Sequence, residues 1–493
     1  MTNDASIDTP PTVHDVIIVG AGFAGIGAAI KMREAGLDFL VLEKAGEIGG
    51  VWRANTYPDC ACDVPSSLYS YSFAPNPDWT RVFAEQSEIL DYLKQTAQRF
   101  GVADSVLVNH ELNHAVWNQQ ARHWEMQTSQ GVFHSRFIVM ACGPMHKPVV
   151  PKIPGLESFP GATFHSAEWD HNCELDGKRV AIVGSGASAV QIVPAIQPKV
   201  AKLSLFQRTP HWVLPKFDRK VSPDQRTRFK RFPATQKFVR ALFYGQFEML
   251  NGSFRYPRLM KRLQGLALSN IYRTVKDPEL REKLTPSYVI GCKRILQSNR
   301  WYRALVEQNV EVVSGLEKID GNCLVASDGS SRKVDAIVFA TGFEIANPPI
   351  AERIIGTSGV PLAQRWNGSP SAYLGTMVED CPNCFLMFGP NLAIASSAFI
   401  IIEAQIRYIV DALTKARTNG IEVLSVDPSK SAAYNERVQF ALQKTVWNNG
   451  GCTSYFLDAS GKNATGWPWT TYFMRRRLGT FRLGDYVVEK RAA

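Results

Sequence analysis

Two glycine-rich turns, 164 residues apart, constrain the fold of this chain more than any other feature. The first turn, Gly20-Ala21-Gly22-Phe23-Ala24-Gly25, follows the apolar run Val16-Ile17-Ile18-Val19 and precedes a predicted helix at residues 26–34. Glycines at a strand–turn–helix junction let the backbone approach a pyrophosphate, which then binds the amides and the positive dipole end of the helix. The turn therefore predicts a dinucleotide-binding unit. Its predicted contacts are Gly20, Gly22 and Gly25.

An acidic residue ends the second strand of this unit. The apolar run at residues 39–42 is followed by Glu43, 21 residues past Gly22. A carboxylate at this point accepts hydrogen bonds from an unphosphorylated ribose, as in FAD or NAD. Glu43 is therefore predicted to bind the first dinucleotide.

The second turn, Gly184-Ser185-Gly186-Ala187-Ser188-Ala189, follows a predicted buried strand at residues 179–183 and opens a predicted helix at residues 188–196. The predicted contacts of this turn are Gly184, Gly186, Ser188 and Gln191.

The strand that follows, residues 202–206, leads to Arg208 and Thr209, with Arg208 22 residues past Gly186. An arginine suits a ribose 2′-phosphate, because its planar fork binds the dianion through charge-assisted hydrogen bonds. The two units thus differ in the residue predicted to bind the ribose, which is Glu43 in the first and Arg208 in the second. This difference predicts FAD and NADPH as the pair of dinucleotides.

Length and composition narrow the class of protein. A chain of 493 residues is long enough for two or three domains. It has no run of 18 apolar residues, and residues 1–11 lack the pattern of a secretion signal. The nine cysteines are scattered without metal-ligand spacing, so we expect no metal site and a reducing, cytoplasmic location. Cys60 and Cys62 are too close for an easy disulfide and are predicted to be packing residues.

The predicted fold is α/β, with two Rossmann-like dinucleotide-binding domains, one for FAD and one for NADP, and a helical insertion in the NADP domain. A proline-rich crossing near residue 144 marks the first boundary. The predicted parts are the FAD domain at 1–144 and 344–493, the latter with a C-terminal pocket wall, the NADP domain at 145–215 and 288–343, and the insertion at 216–287.

Four ordered motifs resemble the type I Baeyer–Villiger monooxygenases, a family of flavoproteins. The family fingerprint is matched by Phe159-x-Gly161-x-x-x-His165-x-x-x-Trp169-Asp170, directly before the second turn. The other motifs are Gly49-Gly50-x-Trp52 with Tyr57-Pro58 and Asp63, Gly291-Cys292-Lys293-Arg294, and Ala340-Thr341-Gly342-Phe343. The chain departs from the family at Asp59, where Gly or Met is usual, and residues 392–397 lack the histidine often found after Gly389-Pro390-Asn391.

The resemblance implies roles for individual residues. Arg294 matches the catalytic arginine and Asp63 the carboxylate near it, which also borders the cofactors. Arg208, Thr209 and Lys293 match the groups around the 2′-phosphate, and His165 matches a structural histidine of the linker. The remaining predicted cofactor contacts within these motifs are Trp52, Thr341, Gly342 and Asn391.

The resemblance also implies the reaction. NADPH reduces the flavin, O2 adds at its C4a carbon, and the resulting peroxide attacks a ketone to give an ester or lactone. A fixed cation such as Arg294 would keep that peroxide deprotonated and stabilise the oxyanion of the adduct. Asp63 would hold the guanidinium in place.

Two other functions are weighed against this one. A flavin monooxygenase acting on nitrogen or sulfur would not need Arg294 beside Asp63, because a neutral hydroperoxide suffices for those nucleophiles. A nucleic-acid binder is suggested by the pI near 9.1, but no nucleic-acid motif is present, and we expect no nucleic-acid partner.

The basic charge is concentrated in the predicted insertion. Between Lys216 and Lys276 the chain has 15 Lys and Arg against three acidic residues, a net +12, whereas the whole chain is +10. Aromatic residues interleave with these charges, which indicates either an inward-packed core with solvated charges or a weak peripheral contact with an anionic membrane. The sequence favours the inward-packed interpretation.

Overall fold

The structure, a computed structural model, describes residues 12–345, 348–393, 396–454, 456–458 and 460–491. The prediction on residues 1–11 lies outside the described residues, as does part of the prediction on residues 392–397. The strands are β1 (Val13–Val19), β2 (Phe39–Leu42), β3 (Val106–Leu107), β4 (Leu112–Asn118), β5 (His123–Thr128), β6 (Gly131–Met140), β7 (Ala162–His165), β8 (Arg179–Val183), β9 (Lys202–Phe206), β10 (Val213–Leu214), β11 (Leu296–Gln297), β12 (Val310–Val313), β13 (Leu316–Asp320), β14 (Cys323–Ala326), β15 (Ser331–Lys333), β16 (Ala336–Phe339), β17 (Ile354–Ile355), β18 (Cys384–Leu386), β19 (Ile421–Val426) and β20 (Tyr486–Lys490). The α-helices are α1 (Phe23–Glu34), α2 (Val51–Ala54), α3 (Gln86–Arg99), α4 (Ala187–Ile196), α5 (Pro223–Arg231), α6 (Pro233–Ser253), α7 (Pro257–Thr274), α8 (Pro278–Leu284), α9 (Trp301–Leu305), α10 (Leu362–Trp366), α11 (Ala398–Thr418), α12 (Pro428–Leu442), α13 (Val446–Asn449) and α14 (Thr471–Arg477).

The first sheet is built around β1. Its strand order is β17-β4-β5-β6-β1-β2-β3, with β18 also paired to β6. β1 lies parallel to both β2 and β6, whereas β4, β5 and β6 form an antiparallel meander. The apolar run Val16-Ile17-Ile18-Val19 is buried, as a parallel strand covered on both faces requires.

The second sheet is entirely parallel, in the order β12-β9-β8-β16-β7. β8 and β9 have the bounds predicted at residues 179–183 and 202–206. Each sheet has a glycine-rich turn directly after an interior parallel strand, β1 or β8, at the edge where open parallel sheets bind nucleotides. The predicted α/β fold with two Rossmann-like units is confirmed by this topology.

The predicted insertion, residues 216–287, contains four helices, α5 to α8. It lies between β10 and β11, which pair in parallel with each other. The aromatic side chains of this segment are divided: Phe229 and Phe254 are buried, whereas Phe238 is 64% exposed. The predicted boundaries of the insertion and of the two domains stay predictions.

The long helix α11 brings the end of the chain back to the first sheet. Phe399 in its first turn contacts Phe23 at the start of α1, with 4.7 Å between ring centroids. Tyr71 adds a third ring, 5.0 Å from Phe399, and donates a hydrogen bond to the carbonyl of Phe23. This aromatic cluster fixes the start of α1, and with it the first glycine-rich turn.

None of the helices in the described ranges combines the length and hydrophobicity needed to span a bilayer.

One expectation about cysteine is wrong. The scattered cysteines indicated reduced thiols, but Cys292 and Cys452 form a disulfide across 160 residues. Local spacing could not show this pair, because the fold alone brings the two loops together. Cys60 and Cys62 are free and buried, as predicted.

Candidate active site

The first glycine-rich turn is shaped by close backbone contacts. Gly20 has φ +105°, and a Cβ there would lie 2.7 Å from the carbonyl oxygen of Ala141 on the neighbouring strand end. A Cβ on Gly25 would lie 1.8 Å from the carbonyl oxygen of Gly20. Side chains at both positions are therefore excluded by the protein itself, which packs α1 tightly against β1.

Glu43 is buried at the same turn. Its carboxylate accepts hydrogen bonds from the backbone amides of Ala21, at 2.7 Å, and Ala45, at 2.9 Å. The Glu43 carboxylate, which is predicted to bind the ribose, thus lies directly beside the glycines, and these backbone hydrogen bonds fix its orientation.

The second turn repeats this design around β8. Gly184 has φ +107°, and a Cβ there would lie 2.5 Å from the carbonyl oxygen of Ala340. By contrast, a Cβ on Gly186 would meet no protein atom within 4 Å. Protein packing therefore does not require glycine at position 186, whereas the close approach of a pyrophosphate would.

The two helices that follow these turns begin without side-chain caps. Gly22 and Gly186 are the N-cap residues of α1 and α4, and neither N-terminus has a side-chain hydrogen bond. The amides of α1 and α4 are thus available to an anion, so both sites fit the pyrophosphate of a dinucleotide.

Two predicted cations come together beyond the second turn. Burial lowers the pKa of Lys293, and the charge of Arg208 nearby lowers it further. Burial also lowers the pKa of His211 to about 4, with Lys293 as the second cause. The carbonyl of Thr209 accepts a hydrogen bond from the Ser185 hydroxyl at 3.0 Å. Arg208, Thr209 and Lys293 therefore border one region at the carboxyl edge of the second sheet.

The predicted catalytic pair forms across the two sheets. Arg294 donates from Nε and from Nη2 to Asp63 Oδ2, at 3.0 and 2.5 Å. Burial by itself would raise the pKa of Asp63, but the charges of Arg294 and Lys216 outweigh it and the net shift is downward. Both side chains are half-buried. The pair therefore stays ionised and remains open to a ligand.

Lys216 is a further member of this site, and it was not among the residues predicted from the sequence. Its Nζ donates to the carbonyl of Cys62 at 3.1 Å and lies 4.6 Å from the centre of the Phe83 ring. Burial lowers the pKa of Lys216, against the opposing effects of Asp218 and Asp63. A lysine two residues past a short strand carries no signal in the sequence. The fold alone places its charge beside Asp63.

Gln191, on α4, joins the second dinucleotide-binding unit to the loop after α2 in the first. Its amide donates to the carbonyl of Ala61 at 2.9 Å, and its oxygen accepts from the hydroxyl of Tyr57 at 3.0 Å. A second link was not foreseen: Arg300 pairs with Asp59, the position at which the family motif is broken. Asp59 has φ +61°, a conformation that Asp tolerates better than most residues.

The other predicted contacts lie at the borders of this region. Trp52 is buried and donates from Nε1 to the hydroxyl of Tyr69 at 2.9 Å. Thr341 donates to the carbonyl of Val149, and Gly342 follows with φ +87°. Asn391 is buried, and its amide donates to the carbonyl of Asn463 at 2.7 Å, so it also anchors the C-terminal loop. Their contacts with cofactors stay predictions.

Known proteins are similar to this chain over nearly its whole length. A family model described as pyridine nucleotide-disulphide oxidoreductase matches residues 17–251. A Baeyer–Villiger monooxygenase of Streptomyces coelicolor is 46% identical over 485 residues, which cover 97% of this chain and 93% of that relative. An FAD-binding monooxygenase of Aspergillus niger is 33% identical, covering 96% of this chain and 81% of the relative.

A solved structure is similar over the same extent. The crystal structure of cyclohexanone monooxygenase from Rhodococcus sp. Phi1 bound to NADP+ superimposes with a TM-score of 0.85 at 27% identity. The match covers 98% of this chain and 100% of that one. The similarity therefore extends over both sheets and the segments that join them.

Proposed function

The chain belongs to the Baeyer–Villiger monooxygenases, and from this premise we propose that Arg294 and Asp63 carry its oxygen-insertion step. The protein is an FAD-containing, NADPH- and O2-dependent monooxygenase that converts ketones to esters or lactones. The observation that carries the proposal is the ion pair between Arg294 and Asp63, which joins the two dinucleotide-binding units.

The first unit fits FAD. Bound FAD, once reduced by NADPH, would activate O2, so that one oxygen atom enters the ketone and the other leaves as water. We propose that Glu43 holds the adenosine ribose and that the amides at the start of α1 hold the pyrophosphate. The residues proposed to contact FAD are Gly20, Gly22, Gly25, Glu43, Trp52 and Asn391.

Arg294 supplies a permanent positive charge to the reacting atoms. A guanidinium stays protonated at any physiological pH, so it stabilises negative charge as it develops on the carbonyl oxygen of the ketone. Asp63 accepts two hydrogen bonds from Arg294 and so fixes the plane of the guanidinium. Lys216 adds a second cation beside Asp63 and favours its ionised form.

The second unit fits NADPH. We propose that Gly184, Gly186 and Ser188 hold its pyrophosphate and that Arg208, Thr209 and Lys293 hold its 2′-phosphate. Support comes from the proximity of Arg208 to Lys293, because two cations at one place attract a dianion strongly. Gln191, Thr341 and Gly342 complete the proposed set.

A panel of linear, cyclic and aromatic ketones tests the proposed function. We expect NADPH consumption to rise with at least one ketone and an ester or lactone to form in equal amount. Oxidation of amines or sulfides with no ester from any ketone would instead support the alternative, a flavin monooxygenase acting on nitrogen or sulfur. The Arg294–Asp63 pair speaks against that alternative, since those reactions do not need a fixed cation.

We also propose a cytoplasmic location, since NADPH is an intracellular reductant.

We further propose a weak peripheral contact with anionic membranes through α6 and α7. On α6, Phe238, Leu242 and Met249 fall on one helical face and are 64%, 58% and 74% exposed. On α7, Leu259 and Leu266 are two turns apart and also exposed. Exposed apolar stripes within a segment of net +12 suit a surface that offers both anionic headgroups and acyl chains.

A further inference from the structure

Two histidines and a glutamate converge on the outer face of the first sheet, within the meander β4–β6. His123 and Glu125 lie two residues apart on β5 and so point to the same face. His134 on β6 is the direct cross-strand partner of Glu125. Val132, two residues before His134, is 62% exposed, so this face meets solvent. The alternate residues of β5, Trp124 and Met126, are buried on the opposite face.

The three side chains present their ligand atoms to one point. One nitrogen of each histidine and one carboxylate oxygen lie within 4.8 Å of one another. His134 Nδ1 is 2.9 Å from His123 Nε2. Two nitrogens bound to a tetrahedral zinc ion at ~2.0–2.1 Å are about 3.3 Å apart. Small side-chain rotations therefore suffice to bind a metal, with no movement of the strands.

The carboxylate is held in place by a neighbour. Asn118, the cross-strand partner of His123 on β4, donates from Nδ2 to Glu125 Oε1 at 2.7 Å. Hydrogen bonds of this kind orient metal-binding carboxylates. The nearby cation Arg122 is paired with Glu422 at 2.6 Å, so its charge is balanced by another acid.

We propose that His123, Glu125 and His134 form a surface site for a divalent transition-metal ion, foremost zinc. Two imidazoles and one carboxylate leave the fourth tetrahedral position to water. Imidazole ligands select against Mg²⁺ and Ca²⁺, which prefer oxygen. The bound ion ties β5 to β6, and the site is separate from the residues assigned above to FAD, NADPH and the ketone.

The test uses tag-free, FAD-loaded full-length protein that has been treated with a chelator and then titrated with zinc by calorimetry. We expect one zinc ion per chain, and no heat of binding with Mg²⁺. His123→Asn and His134→Asn should each weaken zinc binding at least about tenfold, because each removes a ligand. The matched control is His114→Asn, which alters an exposed histidine on β4 and should leave the zinc affinity unchanged.

A structural readout covers the case in which a variant does not fold. Zinc-edge X-ray absorption of the wild-type protein should show two imidazole nitrogens and a carboxylate oxygen. Absence of zinc binding, an unchanged affinity in the His123→Asn/His134→Asn double variant, or a different ligand set would overturn the proposal. Ketone-dependent NADPH oxidation should be equal in all these variants.

Discussion

Arg294 and Asp63 lie 231 residues apart in the chain, yet Arg294 Nε is 3.0 Å from Asp63 Oδ2. The arginine lies in the loop between α8 and β11, directly after Lys293, whereas the aspartate lies in the irregular loop between α2 and α3. The pair therefore forms only when the two dinucleotide-binding units are assembled together. This coupling places a fixed cation between the proposed FAD and NADPH sites.

Cofactor choice is expected to depend on Arg208 and Lys293. Arg208→Ala should raise the KM for NADPH roughly tenfold or more, because a charged contact to phosphate contributes about 1.5–3 kcal/mol. The KM for NADH should barely change, since NADH lacks the 2′-phosphate. Lys293→Ala should also raise the KM for NADPH and leave the KM for NADH nearly unchanged.

The matched control for these variants is Arg303→Ala, which removes an exposed arginine of α9. Steady-state kinetics with both cofactors measure the effect. An equal rise in the KM for NADH and in the KM for NADPH would show that Arg208 does not bind the 2′-phosphate.

Lys216→Met should change the pH dependence of the reaction. The charge of Lys216 lowers the pKa of Asp63, so its removal raises that pKa. Asp63 pairs with Arg294 only when ionised, so activity is present above the pKa of Asp63 and lost as the pH falls through it. The acid limb of kcat/KM should therefore move to higher pH in the variant.

Lys220→Met, an exposed lysine four residues along the chain, serves as the control for this profile. Superimposable acid limbs for Lys216→Met and the wild type would mean that Lys216 does not act through Asp63.

Cys452→Ser removes the disulfide to Cys292. A disulfide typically stabilises a protein by about 2–4 kcal/mol, so the variant, which loses a link across 160 residues, should have a lower Tm. A reductant should lower the Tm of the wild type and leave that of the variant unchanged. Because Cys292 precedes Lys293 directly, we also expect a higher KM for NADPH.

Cys173→Ser, at a free cysteine, should behave as the wild type in the same thermal scans. A Tm for Cys452→Ser equal to that of the wild type under oxidising conditions would rule out a stabilising disulfide.

Membrane contact is expected to depend on both charge and exposed apolar residues. The wild type should sediment with phosphatidylserine vesicles at low salt and less so as salt rises, because salt screens the charges of the basic segment. Phe238→Ser/Met249→Ser should weaken this binding, whereas Phe440→Ser, equally exposed on α12, should not. No sedimentation at low salt would refute the contact, and self-association of the wild type would assign the exposed face to a second copy.

The local parts of the fold could be predicted from sequence. The strands β8 and β9 have the expected bounds, since each is a short apolar run closed by a turn. The first helix was expected from Ile26 but begins at Phe23, because Gly22 serves as its N-cap. Hydrophobic periodicity shows where a helix continues better than where it starts.

Long-range pairs could not be predicted from residue patterns alone. The motifs of the family suggested Arg294 and Asp63, but Lys216, the Arg300–Asp59 ion pair and the Cys292–Cys452 disulfide carry no local signal. Each joins segments that only the folded chain brings together. The exposed face of α6 was also unexpected, because its pattern of apolar residues is the one that usually marks a buried face.

The most direct test of the account is the fate of molecular oxygen in wild type and Arg294→Ala. FAD-loaded enzyme is supplied with NADPH, oxygen-18 gas and a ketone substrate, and the product is analysed by mass spectrometry. One labelled atom should enter the alkoxy oxygen of the wild-type ester, with the other leaving as water. In Arg294→Ala, NADPH should still be consumed, but the oxygen should appear as hydrogen peroxide with no labelled ester. Arg300→Ala, which breaks the neighbouring ion pair with Asp59, should keep the ester. Labelled ester at wild-type yield from Arg294→Ala would contradict the central claim.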